Sequence, residues 1–130
     1  RPRPPNPKTK NYRVIRSLSN WDGGFYGCQS QGGMYAAITS PGDQIEIEDA
    51  IRRDAPERQY FWVGGSDWNH KGDFWWKGTG HYFTYTNWVY GEPEVSDAYR
   101  CVVISDPNDF KWMTGNCYTE YFYICQFNNY

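Results

Sequence analysis

Apolar and polar residues alternate from Tyr12 to Arg16 (Tyr-Arg-Val-Ile-Arg). A period of two predicts a strand with one buried face. The pattern then loosens into a helical stretch. Ser19-Asn20 offers an N-cap before Trp21, and Gly32-Gly33 offers a stop. That helix carries Gly23, Gly24 and Gly27, each costing about 1 kcal/mol against alanine, so packing and a cross-link at Cys28 must hold it. A second helix is better marked. Ser40 caps it, Pro41 suits its first position, Asp43 and Glu46 sit at its positive end, and Arg52-Arg53 sit at its negative end before Pro56. Beyond it the chain reads as short β-prone runs. Tyr60–Val63 predicts a buried strand, and Asp73–Trp76 and Tyr82–Tyr85 predict brief ones. Cys101–Ile104, Phe110–Trp112 and Tyr121–Cys125 predict the last strands. Between Gly64 and Val95 lie six glycines, and a loop region this long usually has a function. Helices first and strands after, without an internal repeat, predict an α+β domain.

The chain has 130 residues, enough for one domain. Residues 1–11 are expected to be a basic, proline-rich tail and residues 12–130 the folded domain. The first ten residues carry four positive charges and no negative ones, whereas the rest carry nine basic against fifteen acidic residues. An acidic body argues against a nucleic-acid partner. Four cysteines without a Cys-x-x-Cys pair argue for two cross-links over a zinc ribbon, and three pairings are open. Disulfides point to a secreted, extracellular protein. No signal peptide, membrane span or Asn-x-Ser/Thr sequon is visible. Seven Trp, twelve Tyr and seven Phe dominate a chain with one leucine, Leu18. Most must fill the core, and a few exposed rings would serve to stack on a ligand.

The ordered motifs resemble the C-type lectin-like domain, in its short form, with wording similar to secreted arthropod members. The likeness runs over residues 12 to 127: CQSQGGMYAAI (28–38), FWVGG (61–65), GDFWWKGTG (72–80), YTNW (85–88), GEPE (91–94), then CVVI, KWMTGNC and YFYICQF. It implies two helices packed on small antiparallel sheets with a long loop region. It also implies disulfides Cys28–Cys125 and Cys101–Cys117, which by loop entropy are worth roughly 4.7 and 3 kcal/mol.

The resemblance makes calcium the candidate cofactor, with Glu92 and Glu94 as metal ligands either side of Pro93, where the family often has a cis bond. Calcium needs six to eight oxygens. Tyr99 stands two residues before Cys101 where an acid is expected, and Asp97 is the nearest replacement. Met113 and Thr114 replace the Asn-Asp pair after Trp112. At the secondary positions Asp67 is in place, but Lys71 and Val95 stand where acids are needed. The main-site ligands are therefore incomplete. Asp106, Asn108 and Asp109 offer a rescue if their loop folds over the site; otherwise they are turn chemistry. Three readings of Glu92 and Glu94 stay open: a remodelled calcium site, solvated carboxylates with one bonded to backbone amides, or a direct contact to a partner.

His70 and His81 lie outside any catalytic array, and two acids on one turn are poorly placed for glycoside hydrolysis. The chain reads as a binding module and not an enzyme. Trp68, Trp76, Trp88, Tyr90 and Tyr99 are the aromatics in or beside the long loop, Trp88 matching a core landmark of the family. The ligand-binding candidates are Tyr90, Glu92, Pro93, Glu94, Asp97 and Tyr99. The resemblance implies a secreted module that binds glycans, microbial or cell-surface, through the 85–100 loop, calcium-independently or weakly calcium-dependently, in innate immune pattern recognition. The alternative is a lectin-fold protein–protein module, with a glycoprotein, another protein or a second lectin-like chain as partner and neither calcium nor sugar bound.

Overall fold

Asn20 and Ser40 start the helices as the sequence predicts. The Asn20 side chain accepts a hydrogen bond from the Gly23 N–H at 2.8 Å, and the Ser40 hydroxyl accepts one from Asp43 at 3.1 Å. The computed structural model describes residues 10–128. In chain order these form β1 (Lys10–Ser19), α1 (Trp21–Ser30), β2 (Met34–Tyr35), α2 (Pro41–Asp54), β3 (Tyr60–His70), β4 (Asp73–Trp76), β5 (Cys101–Ser105), a 3₁₀ turn (Asp106–Asn108), β6 (Lys111–Gly115) and β7 (Tyr121–Asn128).

The strands join in one curled sheet, ordered β1-β7-β3-β5-β6, with β2 on β7 and β4 on β3. Most pairings are antiparallel, but β3 and β7 run parallel through Phe61–Phe122 and Trp62–Tyr123. The expectation of small antiparallel sheets is refined accordingly. Disulfides link Cys28 to Cys125 and Cys101 to Cys117, the pairing the resemblance implies.

Two buried clusters meet across the sheet. One packs α2 (Ile47, Ala50, Ile51) on Phe61, Val63, Trp76, Trp112 and Ile124. The other packs α1 through Trp21 and Cys28 on Tyr35, Trp62 and Tyr123, around both disulfides. Three of the four fully buried tryptophans find acceptors for their indole N–H, among them Trp21 Nε1 to the Val63 carbonyl at 2.8 Å and Trp62 Nε1 to those of Ser19 and Thr119, each at 3.1 Å. Trp76 Nε1 is buried without a partner among the described residues, a cost that its aromatic packing must outweigh.

Several element boundaries differ from the sequence reading. The strand expected to end at Val63 runs on to His70, into the expected loop region, because Ser66 still pairs with Trp75 and Cys101, and the strand expected to end at Cys125 runs to Asn128 against β1. The expected tail over residues 1–11 lies outside the described residues except for Lys10 and Asn11, which are the first residues of β1. Lys10 Nζ reaches the Asp43 carboxylate at 2.7 Å and the Ala37 carbonyl at 3.1 Å, tying the strand to α2. The strand expected over Tyr82–Tyr85 reduces to a single bridge between Trp75 and Tyr82. Here the chain is held by a side chain, with Phe83 stacked on Trp76 at 4.0 Å between centroids. The strand expected from Phe110 begins at Lys111, because Asp109 and Phe110 have φ of 61° and 60°, outside the range of a β ladder.

Candidate functional site

The segment between β4 and β5 is irregular, and aromatic rings fix it to the core. Trp88 pairs edge-on with Trp112 at 5.7 Å and with Phe74 at 5.2 Å, and Phe83 meets Trp112 at 5.6 Å. The backbones of the long loop and β6 interlock, with Val89 N–H donating to the Trp112 carbonyl at 2.8 Å and Trp112 N–H to that of Asn87 at 2.9 Å. Trp112 is itself clamped from α2. Its Nε1 donates to Gln44 Oε1 at 2.9 Å, while Gln44 Nε2 donates to the Phe110 carbonyl at 2.9 Å. Trp76, Trp88 and Trp112 therefore serve as anchors.

Glu92 turns toward β6. Its Oε1 accepts from the Thr114 N–H, the Thr114 hydroxyl and the Glu94 N–H, each at 3.0 Å. The Glu92–Pro93 bond is cis. Glu94 contributes its backbone N–H to this latch, and the residue itself is exposed. Thr114 thus stands where an acid pair is expected and supplies donors instead of ligands.

At the further positions where the resemblance implies calcium ligands, the protein's own cations make the contacts. Asp67 is fully buried and pairs with the Arg100 guanidinium, Nε to Oδ1 at 3.0 Å. The same guanidinium donates to the Asp67 carbonyl at 2.8 Å and lies 4.5 Å over the Trp68 ring. Asp67 Oδ2 accepts from the Gly72 N–H at 2.8 Å. Lys71 pairs with Asp97 at 2.7 Å, and the Lys71 hydrogen bond holds the exposed Asp97 carboxyl below the usual carboxylate range. Among the described residues no group of three or more His, Cys, Asp or Glu side chains is placed to hold a metal ion. Asp106 is buried in the 3₁₀ turn and Asn108 bonds Ser105 at 2.8 Å, so the Asp106–Asp109 loop is turn chemistry and not a rescue of the site. A donor set satisfied by N–H, O–H, guanidinium and ammonium groups does not fit a calcium shell.

The remaining candidates present a surface. Tyr90 is fully exposed, and Tyr99 and Trp68 are 38% and 46% exposed. Pro93 faces a cavity of about 530 Å³ that it shares with Gly72, Asp73, Phe74, Tyr82, Phe83, Thr86 and Trp88. Of the pocket's other residues, the sequence reading had singled out Trp88 alone, as a core landmark. Arg100 is missed as well; the signal in the sequence is an arginine beside Cys101, with Lys71 where the resemblance implies an acid, two cations able to pair with Asp67 and Asp97.

Residues 17–127 match the Lectin C-type domain, and the chain belongs to this family, whose members are in general binding modules. It is 37% identical over 75 residues to the C-type lectin mosGCTL-7 of Culex quinquefasciatus, covering 51% of this chain and 43% of that protein. It is 26% identical over 119 residues to a perlucin-like protein of Mytilus galloprovincialis, covering 91% and 76%. Among solved structures, a calcium-independent type II antifreeze protein superposes with a TM-score of 0.82 at 23% identity, covering 97% of this chain and 95% of that one. The cow CD23 carbohydrate-recognition domain, solved with a GlcNAc2Man3 oligosaccharide, gives 0.77 at 23% identity and 97% and 96% coverage. No helix among the described residues is long and apolar enough to cross a membrane.

Proposed function

We propose that this chain is an extracellular recognition module that takes carbohydrate on its long-loop face, residues 85–100 and the adjoining cavity, without calcium. The observation that carries the reading is the latch at Glu92. Three N–H and O–H donors converge on one carboxylate oxygen, so the loop is already held where the family's resemblance places a metal. Arg100 and Lys71 extend the same logic to Asp67 and Asp97. The fold is compatible with this mode, since a calcium-independent protein adopts it. Two disulfides fit an oxidising, extracellular setting, and the insect lectins among its relatives support a place in innate immune recognition as part of this reading. The exposed Tyr90, Tyr99 and Trp68 favour a second reading, a protein partner on the same face, because Tyr and Trp anchor protein interfaces.

Thermal unfolding and a glycan screen, each in excess calcium and in excess EDTA, test both readings. The melting curves are expected to superimpose, and glycan binding to persist in EDTA. A ligand at a hundred times its dissociation constant adds about 2.7 kcal/mol, so a calcium site of real affinity would shift the midpoint by degrees and overturn the calcium-free reading. Absence of any glycan signal under both conditions would favour the protein partner.

A further inference from the structure

The walls of the 530 Å³ cavity are aromatic. Six rings elsewhere in the protein are covered by its own cations. Arg13, Arg16 and Arg52 lie over Phe127, Phe122 and Phe110, Lys77 lies over Trp21 and Phe25, and Arg100 lies over Trp68, all between 4.5 and 5.5 Å from the ring centroid. Phe74, Tyr82, Phe83 and Trp88 line the cavity and, among the described residues, no lysine or arginine is stacked on any of them. Phe74, Phe83 and Trp88 pack against one another at 5.2 to 5.9 Å, which fixes their orientation from behind. Tyr82 is 52% exposed. Asp73 is the one charged residue in the lining, and Thr86 adds a hydroxyl. The Asp73 side chain is 68% exposed, with His70 Nδ1 at 3.9 Å from its carboxylate.

We propose that this cavity is a subsite for a sugar ring bearing a free, protonated amino group. The inference rests on the glycan reading above and names the class of sugar. Its volume lies in the range of small-molecule sites, which pair aromatic walls with a few polar groups. Aromatic faces attract a cation within about 6 Å of the ring centroid and pack against the C–H face of a pyranose. The Asp73 carboxylate pairs with the ammonium, and Thr86 and Tyr82 meet ring hydroxyls. An N-acetylated sugar loses the charge that Asp73 and the ring faces read, and an anionic ligand meets Asp73 as a like charge. Pro93 closes one side of the cavity, and the Glu92 latch beside it keeps that wall in place without a metal.

Calorimetric titration of the whole chain with three trisaccharides tests the subsite: a β-1,4-linked glucosamine trimer, its fully N-acetylated form and the corresponding glucose trimer. The glucosamine trimer is expected to bind about tenfold more tightly than the other two, the scale of one cation–π and carboxylate contact. Asp73→Asn and Tyr82→Ala should each remove most of that preference, while Tyr26→Ala, an exposed ring on α1, should leave it unchanged. Both substituted cavity residues are exposed, and near-ultraviolet circular dichroism of each variant checks its fold. Equal affinity for the three sugars, or a preference that survives Asp73→Asn, overturns the amino-sugar subsite and leaves glycan recognition standing. Failure of these sugars together with binding of other glycans overturns the subsite alone. Failure of every glycan overturns both.

Discussion

Single side chains decide how the long loop is held. Thr114 is 9% exposed and gives two of the three donors to Glu92. Thr114→Val keeps the shape and removes the hydroxyl. The expected loss is about 1.5 kcal/mol, the low end for a hydrogen bond to a charged group because Glu92 is only half-buried. Thr114→Ser should restore most of it, and urea unfolding of both variants checks this. Arg100 carries more weight. Its partner Asp67 is wholly buried, and Arg100→Leu strands that carboxylate without a counter-charge, an arrangement that costs about 3 kcal/mol or more. The double variant Asp67→Asn/Arg100→Leu should recover a large part of the loss, because the penalty belongs to the unpaired charge and not to the missing ion pair. Recovery that fails would mean Arg100 acts through its packing on Trp68.

At the scale of elements, α1 shows why local propensity misleads. Its glycines read as a cost of about 1 kcal/mol each in the sequence. In the fold a Cβ at Gly24 collides with the Tyr35 hydroxyl and one at Gly27 with that of Tyr123, so the glycines let the helix lie close on the sheet. Gly27→Ala is expected to destabilise the protein despite its better helix propensity, and Gly27→Ala/Tyr123→Phe to be milder than the single change, by thermal melting. A single change that stabilises would show that Tyr123 swings aside freely. Both caps, both helices and β4 were legible because their signals are local. Lys10 was not: a lysine after a run of prolines reads as solvated, and only the packing of β1 beside α2 brings Asp43 within 2.7 Å of it. Tyr82–Tyr85 misled for the converse reason, since a β-prone aromatic run reads as a strand whether its rings face a sheet partner or stack on Trp76. The sequence shows where this chain departs from the family's ligand pattern, but not which groups meet Glu92 and Asp67. Arg100 lies 33 residues from Asp67, and Thr114 lies 22 from Glu92.

For the molecule as a whole, charge and burial set opposite limits to stability along the pH axis. Burial pushes Asp43 up, but the hydrogen bonds from Lys10 and Thr39 outweigh it and hold its carboxyl below the ordinary value. The hydrogen bond from Arg53 does the same for Asp54, helped by the Val14 N–H. A folded-state pKa below the unfolded one contributes stability that is present above the unfolded value and lost as pH falls through the folded one. The melting temperature should therefore hold down to about pH 4–5 and drop beneath the ordinary carboxylate range. Asp43→Asn should lower the plateau and flatten that acid limb. Two phenols work in the other direction. Burial, reinforced by Asp43 and Glu46, pushes Tyr12 far above its usual value, and burial pushes up Tyr35 beside Asp22 and Tyr123. Both hydroxyls donate to carbonyls, Tyr12 to Ala37 at 2.6 Å and Tyr35 to Trp21 at 2.8 Å, and a phenolate can do neither. A raised folded pKa contributes stability that is present below the unfolded value and lost as pH rises past it, so the alkaline limb should begin near pH 10. Phenolate absorbance followed through that limb reads the ionisation of the tyrosines. Tyr12 and Tyr35 should ionise only in step with the loss of near-ultraviolet circular dichroism. Ionisation of all the tyrosines in one reversible step, with the fold intact, would show that these two hydroxyls do not hold β1 and α1 to the core.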